Sequence, residues 1–173
     1  THVEGDSWVK PQEHNIPKWV NFLNSLPWPI ENRYVILFNE PNHAKEWGNT
    51  IDPEGYASLL VKFSNALKTS SEDYFILPAG LDASATPNGS TIDEESYIKR
   101  IIASQPNILQ TIDGWTSHSY PNPGFSGSPY AYGKGTLATF LWEQEFLQTL
   151  GLGRILPVFI TETGWQHSNG KYY

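Results

Sequence analysis

Residues 33–38, Arg-Tyr-Val-Ile-Leu-Phe, decide the fold. Past Arg33 they form an unbroken apolar run rich in β-branched and aromatic side chains, the pattern of a strand buried on both faces. Tyr74–Ala79 repeats it, shortened by Pro78, which has no N–H for a ladder. Ile112–Ser117 is a weaker version and Ile155–Thr161 a strong one. The four runs end at Phe38, Ala79, Ser117 and Thr161, nearly evenly spaced along the chain.

Helical patterns fill the intervals. Ile16–Leu26 carries Trp19, Val20, Phe22 and Leu23 before the first strand. Asp52-Pro53 reads as an N-cap followed by a proline in the first turn. Tyr56, Leu59, Leu60, Phe63 and Leu67 then recur at helical spacing, with Lys62 and Lys68 off the stripe. Asp93 opens a helix with Tyr97, Ile98, Ile101 and Ile102 on its buried face. Thr136 opens another, with Phe140, Leu141, Phe146, Leu147 and Leu150 inward and Gly151 as its stop. Apolar strands alternating with helices predict an α/β fold of parallel strands joined by crossovers. Residues 82–92 and 121–135 are loops rich in Gly, Pro and Ser that follow strands, so they lie at the carboxyl edge where such folds bind ligands.

Composition narrows the function. The 173 residues carry a net charge of −7, which gives a nucleic-acid groove or an anionic membrane little electrostatic support. The longest apolar runs fall far short of the ~20 residues of a membrane-spanning helix. With no Cys, neither a disulfide framework nor a thiolate metal site can form. No cofactor is expected. A metal site of His43, His118 and His167 with nearby carboxylates lacks any supporting motif such as H-E-x-x-H. Gly133-Lys134-Gly135-Thr136 lacks the earlier glycine of a phosphate loop, since position 128 is Ser.

Polar residues gather where the strands end: Asn39-Glu40-Pro41-Asn42-His43 after the first, Ser117-His118-Ser119-Tyr120 at the third, Thr161-Glu162-Thr163-Gly164-Trp165 at the fourth. A carboxylate there faces the mouth of a parallel sheet, where desolvation is costly unless the group is paired or used. Glu40 and Glu162 occupy equivalent positions on different strands, as glycoside hydrolysis requires of its two carboxyl groups.

The runs Phe38-Asn39-Glu40-Pro41, Ser117-His118-Ser119-Tyr120 and Ile160-Thr161-Glu162-Thr163-Gly164-Trp165 together resemble the retaining (β/α)8-barrel glycoside hydrolases, the cellulase- and β-glycosidase-like clan whose acid/base Glu ends strand 4 and whose nucleophile Glu ends strand 7. The resemblance covers residues 33–165. It implies that Glu40 is the acid/base, Glu162 the nucleophile, and Asn39 the partner of a sugar 2-hydroxyl, with His118 and Tyr120 holding the carboxylates and neighbouring hydroxyls. His43 joins the substrate-binding set, and Trp47, Trp115 and Trp165 are stacking candidates. The implied substrate is a β-linked oligo- or polysaccharide, and the implied setting is secreted or extracytoplasmic. No nucleic-acid or membrane partner is expected.

The bland readings are a solvated loop carboxylate for Glu40, a structural ion pair for Glu162, a core histidine for His118 and turn packing for Tyr120. Glu46 reads as structural. Asp82 and Asp113 read as turn residues. Four strands numbered 4 to 7 by resemblance make 1–173 a single partial catalytic domain, half a TIM barrel in size, since a whole barrel takes about 250 residues. Open sheet edges then predict self-association or completion by further chain segments, with activity belonging to the full barrel. The alternative is a non-catalytic carbohydrate-binding or scaffold protein derived from such a barrel.

Overall fold

The computed structural model describes residues 3, 4 and 7–165. Near the amino end, β1 (Val3–Glu4) and β2 (Ser7–Trp8) pair antiparallel. The order then alternates: α1 (Ile16–Ser25), β3 (Arg33–Leu37), α2 (Pro53–Ser70), β4 (Tyr74–Pro78), α3 (Glu94–Ser104), β5 (Trp115–His118), α4 (Thr139–Thr149) and β6 (Val158–Glu162).

The strands form two parallel ladders, β3 with β4 and β5 with β6, where the sequence predicts one run of four. Pro78 supplies the physical reason. On the edge of β4 that faces β5, Ile76 N donates to the Asp113 carboxylate at 2.7 Å and Ile76 O accepts from Asp113 N at 2.8 Å. Pro78 has no N–H to give, so its carbonyl is met by the Thr116 hydroxyl at 2.6 Å. Side chains thus stitch β4 to β5 where a ladder would otherwise run.

The strands curve as they run. Tyr34 of β3, Phe75 of β4 and Phe159 of β6 meet ring to ring, with centroids 4.9 Å apart for Tyr34–Phe75 and 5.7 Å for Tyr34–Phe159. The first and last strands of the alternation therefore touch across one concave side.

The other side is covered by helices. Tyr56, Leu59, Leu60, Phe63 and Leu67 of α2 are all buried, as their spacing predicts, and pack with Ile76, Tyr97, Ile98 and Ile101. Both aspartate caps are present: Asp52 Oδ1 accepts from Gly55 N and Asp93 Oδ1 from Ser96 N. Two burial expectations are corrected. β3 is not buried on both faces, because Tyr34 and Ile36 point to the concave side and are 40% and 43% exposed. In α4, Leu141 is exposed, and the residues turned inward are Thr139, Glu143 and Leu147, one helical turn apart.

Candidate active site

Each carboxylate of the site is delivered by a strand end, and at Glu40 the backbone is strained. After Leu37 the chain turns through Phe38 at φ +78° and Glu40 at φ +35°, a region that bulky side chains rarely adopt. The turn is held by Glu40 N donating to Gly80 O at 3.0 Å, just past the end of β4. Asn39 is left exposed, with no side-chain partner among the described residues. β6 ends on Glu162, whose carbonyl accepts from Ser119 N at 3.0 Å, fixing it beside the end of β5.

His118 lies between the two carboxylates. It is 3% exposed, with Nδ1 at 2.8 Å from Glu40 Oε1 and 3.6 Å from Glu162 Oε2. Tyr120 donates its hydroxyl to Glu162 Oε2 at 3.2 Å. Burial, and then the charge of Glu162, hold the Tyr120 phenol above its usual range, so it remains a donor. One donor atom from each of Glu40, His118 and Glu162 falls within 4.8 Å of the other two.

Gly80 makes this arrangement possible. A Cβ there would lie 2.3 Å from the His118 ring, so only glycine lets the imidazole settle over the end of β4.

A second layer supports the loop after Glu40. His43 Nε2 pairs with Asp82 Oδ2 at 2.9 Å, and Asp82 Oδ1 also accepts from Ser84 N and Oγ. These bonds, His43 first, draw the Asp82 carboxyl down to about 2, and the same bond raises His43. Asp82 is therefore a turn residue, as its sequence suggests, and also an anchor. Fully buried Asn42 completes the anchor through bonds to Asp82 and to Ile92 O. Glu46 is partly buried. Burial, and then the charge of Glu40, raise its carboxyl above the ordinary value.

The tryptophans divide. Trp47, 1% exposed, is packed edge-on against Phe38 at 5.1 Å and Tyr56 at 5.5 Å, so it cannot stack on a ligand. Trp115 of β5 is 2% exposed and belongs to the buried core, so it cannot stack on a ligand either. Both stacking assignments are overturned. Trp165 is exposed. His167 lies outside the described residues.

The site thus joins Glu40, His118, Tyr120 and Glu162, anchors His43 one shell away, and leaves out Trp47 and Trp115. The sequence reading missed Gly80 and Asn42, for which the Gly after a strand and the Asn after Pro41 were the available signals.

No family model matches the chain, and no curated protein matches its sequence. Among solved structures, the fold is similar to a monomeric β-xylosidase from Caulobacter crescentus, at 15% identity and a TM-score of 0.57 over 92% of this chain and 33% of that one. It is also similar to the GH39 enzyme from Xanthomonas axonopodis pv. citri, at 14% identity and a TM-score of 0.52 over 90% of this chain and 30% of that one. A GH39 β-xylosidase from Caulobacter crescentus gives 18% identity and a TM-score of 0.51 over 92% and 32%. The chain therefore spans about a third of the length of these structures. Its helices and parallel strands share the fold of part of these glycoside hydrolases.

Proposed function

We propose that the chain carries both catalytic carboxyl groups of a retaining β-glycosidase, as strands 4 to 7 of a barrel whose activity belongs to the complete fold. The observation that carries this reading is the convergence of Glu40, His118 and Glu162, each within 4.8 Å of the others, at the ends of separate strands. Retaining enzymes hold their carboxyl groups about 5–5.5 Å apart and inverting ones about 6.5–9.5 Å, and the closer spacing suits direct attack by a carboxylate.

In the first step Glu162 attacks the anomeric carbon while Glu40 gives its proton to the departing glycosidic oxygen, leaving a glycosyl ester on Glu162. In the second, Glu40 takes a proton from a water that attacks the same carbon, and the ester bond breaks. Tyr120, donating to Glu162 Oε2, orients the nucleophile and spreads its charge. His118, at 2.8 Å from Glu40 Oε1, fixes the acid/base and keeps the carboxylates from meeting unscreened. The exposed amide of Asn39 is free to meet a sugar 2-hydroxyl. β-Linked oligosaccharides are the proposed substrates. β-Xylosides are the first to test, since they are named for two of the similar structures.

Replacing Glu162 with Gln in the intact protein is the test. Hydrolysis of aryl β-glycosides falls by at least about 10³-fold, the scale of losing a catalytic nucleophile. Hydrolysis near the original rate would overturn the assignment. Absence of turnover before substitution, with sugar binding retained, would instead establish the non-catalytic binding reading.

A further inference from the structure

We propose that Phe125 is the platform of a sugar-binding subsite next to Glu162, taking the C–H face of a neighbouring ring in a β-linked oligosaccharide. The inference rests on the glycosidase reading above. Phe125 lies in the loop between β5 and α4, is 50% exposed, and has φ +57°, in the left-handed region that a bulky side chain seldom adopts. Its ring meets one aromatic neighbour among the described residues, Tyr120, edge-on at 5.0 Å and 79°. The Tyr120 hydroxyl in turn donates to Glu162. A single side chain thus separates an open apolar ring from the candidate nucleophile.

The loop displays this ring on a closed frame. Gly127 N donates to Pro121 O at 2.8 Å, and Asn122 N donates to Gly135 O at 3.0 Å. A Cβ at Gly127 would come 2.3 Å from Asn122 O, so the chain can return this tightly only through glycine. Holding a phenylalanine both strained and half in water costs free energy twice, through the backbone and through lost burial. A ligand that covers the ring recovers the second cost. Phe offers no donor or acceptor, so the ligand that suits it presents a flat patch of C–H groups. One face of a pyranose with equatorial hydroxyls is such a patch.

The test uses the intact protein carrying Glu162→Gln, so that bound sugar is not turned over. It is titrated with xylotriose, cellotriose and laminaritriose, and with xylose and glucose. With Phe125 present, one trisaccharide binds about tenfold or more tightly than its monosaccharide. Phe125→Ala removes about tenfold from the trisaccharide alone, the scale of losing much of a Phe side chain's apolar contact. Phe125→Gly, which accepts the positive φ without strain, gives the same loss, and Phe125→Trp restores the affinity. Unchanged trisaccharide affinity in both the Ala and Gly variants overturns the platform and leaves the glycosidase reading standing. Failure of the Phe125 protein to bind any of the five sugars overturns both.

Discussion

Two pairs of carboxyl groups flank β5 under opposite conditions. Glu40 and Glu162 stand at the mouth of the strands, 23% and 39% exposed, with the His118 imidazole and the Tyr120 hydroxyl turned toward them. Glu94, in the first turn of α3, and Glu143, in the middle of α4, have no exposure at all. They face each other beside Ser117 and Trp115, and none of their four oxygens makes a hydrogen bond of normal geometry. Burial, and then the charge of Glu143, push Glu94 well above the ordinary carboxyl range; burial raises Glu143 too. A sealed pair of this kind keeps one proton, because two adjacent charges shut off from solvent are too costly. The open pair has both solvent and donors. Enclosure, not residue type, separates the two.

The largest effect comes from disturbing the open pair alone. Gly80→Ala places a methyl group 2.3 Å from the His118 ring and displaces the imidazole from between the carboxylates. The expected loss in kcat is about 10²-fold, the scale of a 1 Å misplacement in a catalytic site. KM moves little, while the melting temperature falls because the buried methyl group overpacks the site. An unchanged kcat would remove His118 from the account.

The sealed pair is read through pH and stability. Its folded-state affinity for a proton exceeds that of the unfolded chain, so its contribution is greatest below the unfolded carboxyl value. Stability then falls as pH rises, by about 1.4 kcal/mol per unit for one retained proton, until the folded-state value is passed. Replacing both, Glu94→Gln with Glu143→Gln, removes the titrating groups and keeps the size of the side chains, which flattens this slope in denaturation curves taken between pH 5 and 8. An identical slope in the variant would mean that the pair holds no extra proton. Lys134 and Asp82 act on Glu94 and His118 acts on Glu143, and the substitutions leave all three unchanged.

The smallest effect concerns the anchor behind the open pair. Asp82→Asn keeps the turn bond to Ser84 but loses the charged partner of His43. Asp82 is depressed to about 2, so its contribution is present above the unfolded value and is lost as pH falls through the folded one. His43 is raised, so its contribution is present below its unfolded value and fades as pH rises through the folded one. The variant should therefore lose about 1 kcal/mol near pH 5–6 and much less near pH 2, the usual scale for a partly exposed charged hydrogen bond. Equal losses at both values would assign the bond a purely steric role.

Much of this contrast was legible in the sequence, unevenly. Glu40, Glu162, His118 and Tyr120 could be read because each lies at a strand end or within three residues past one, and a strand end fixes where its next residues go. The aspartate caps of α2 and α3 were equally plain. Glu143 was invisible because α4 has apolar residues on several sides. Trp142 stacks on Phe146 at 5.1 Å while both remain partly exposed, so the true inner stripe of Thr139, Glu143 and Leu147 was masked. Trp47 and Trp115 looked like platforms because sequence shows nearness to a site and not direction. Phe125 drew no reading from the sequence, since a positive φ leaves no mark in composition.

The most direct test of the open pair as a retaining site is to trap it. The intact protein is incubated with an activated 2-deoxy-2-fluoro-β-glycoside of a sugar that it hydrolyses, digested, and read by mass spectrometry, with the anomeric form of the first-released product followed by NMR. The account predicts a glycosyl group on the peptide at Glu162 and a product that keeps the β configuration. An inverted product, or a label on another residue, would contradict it.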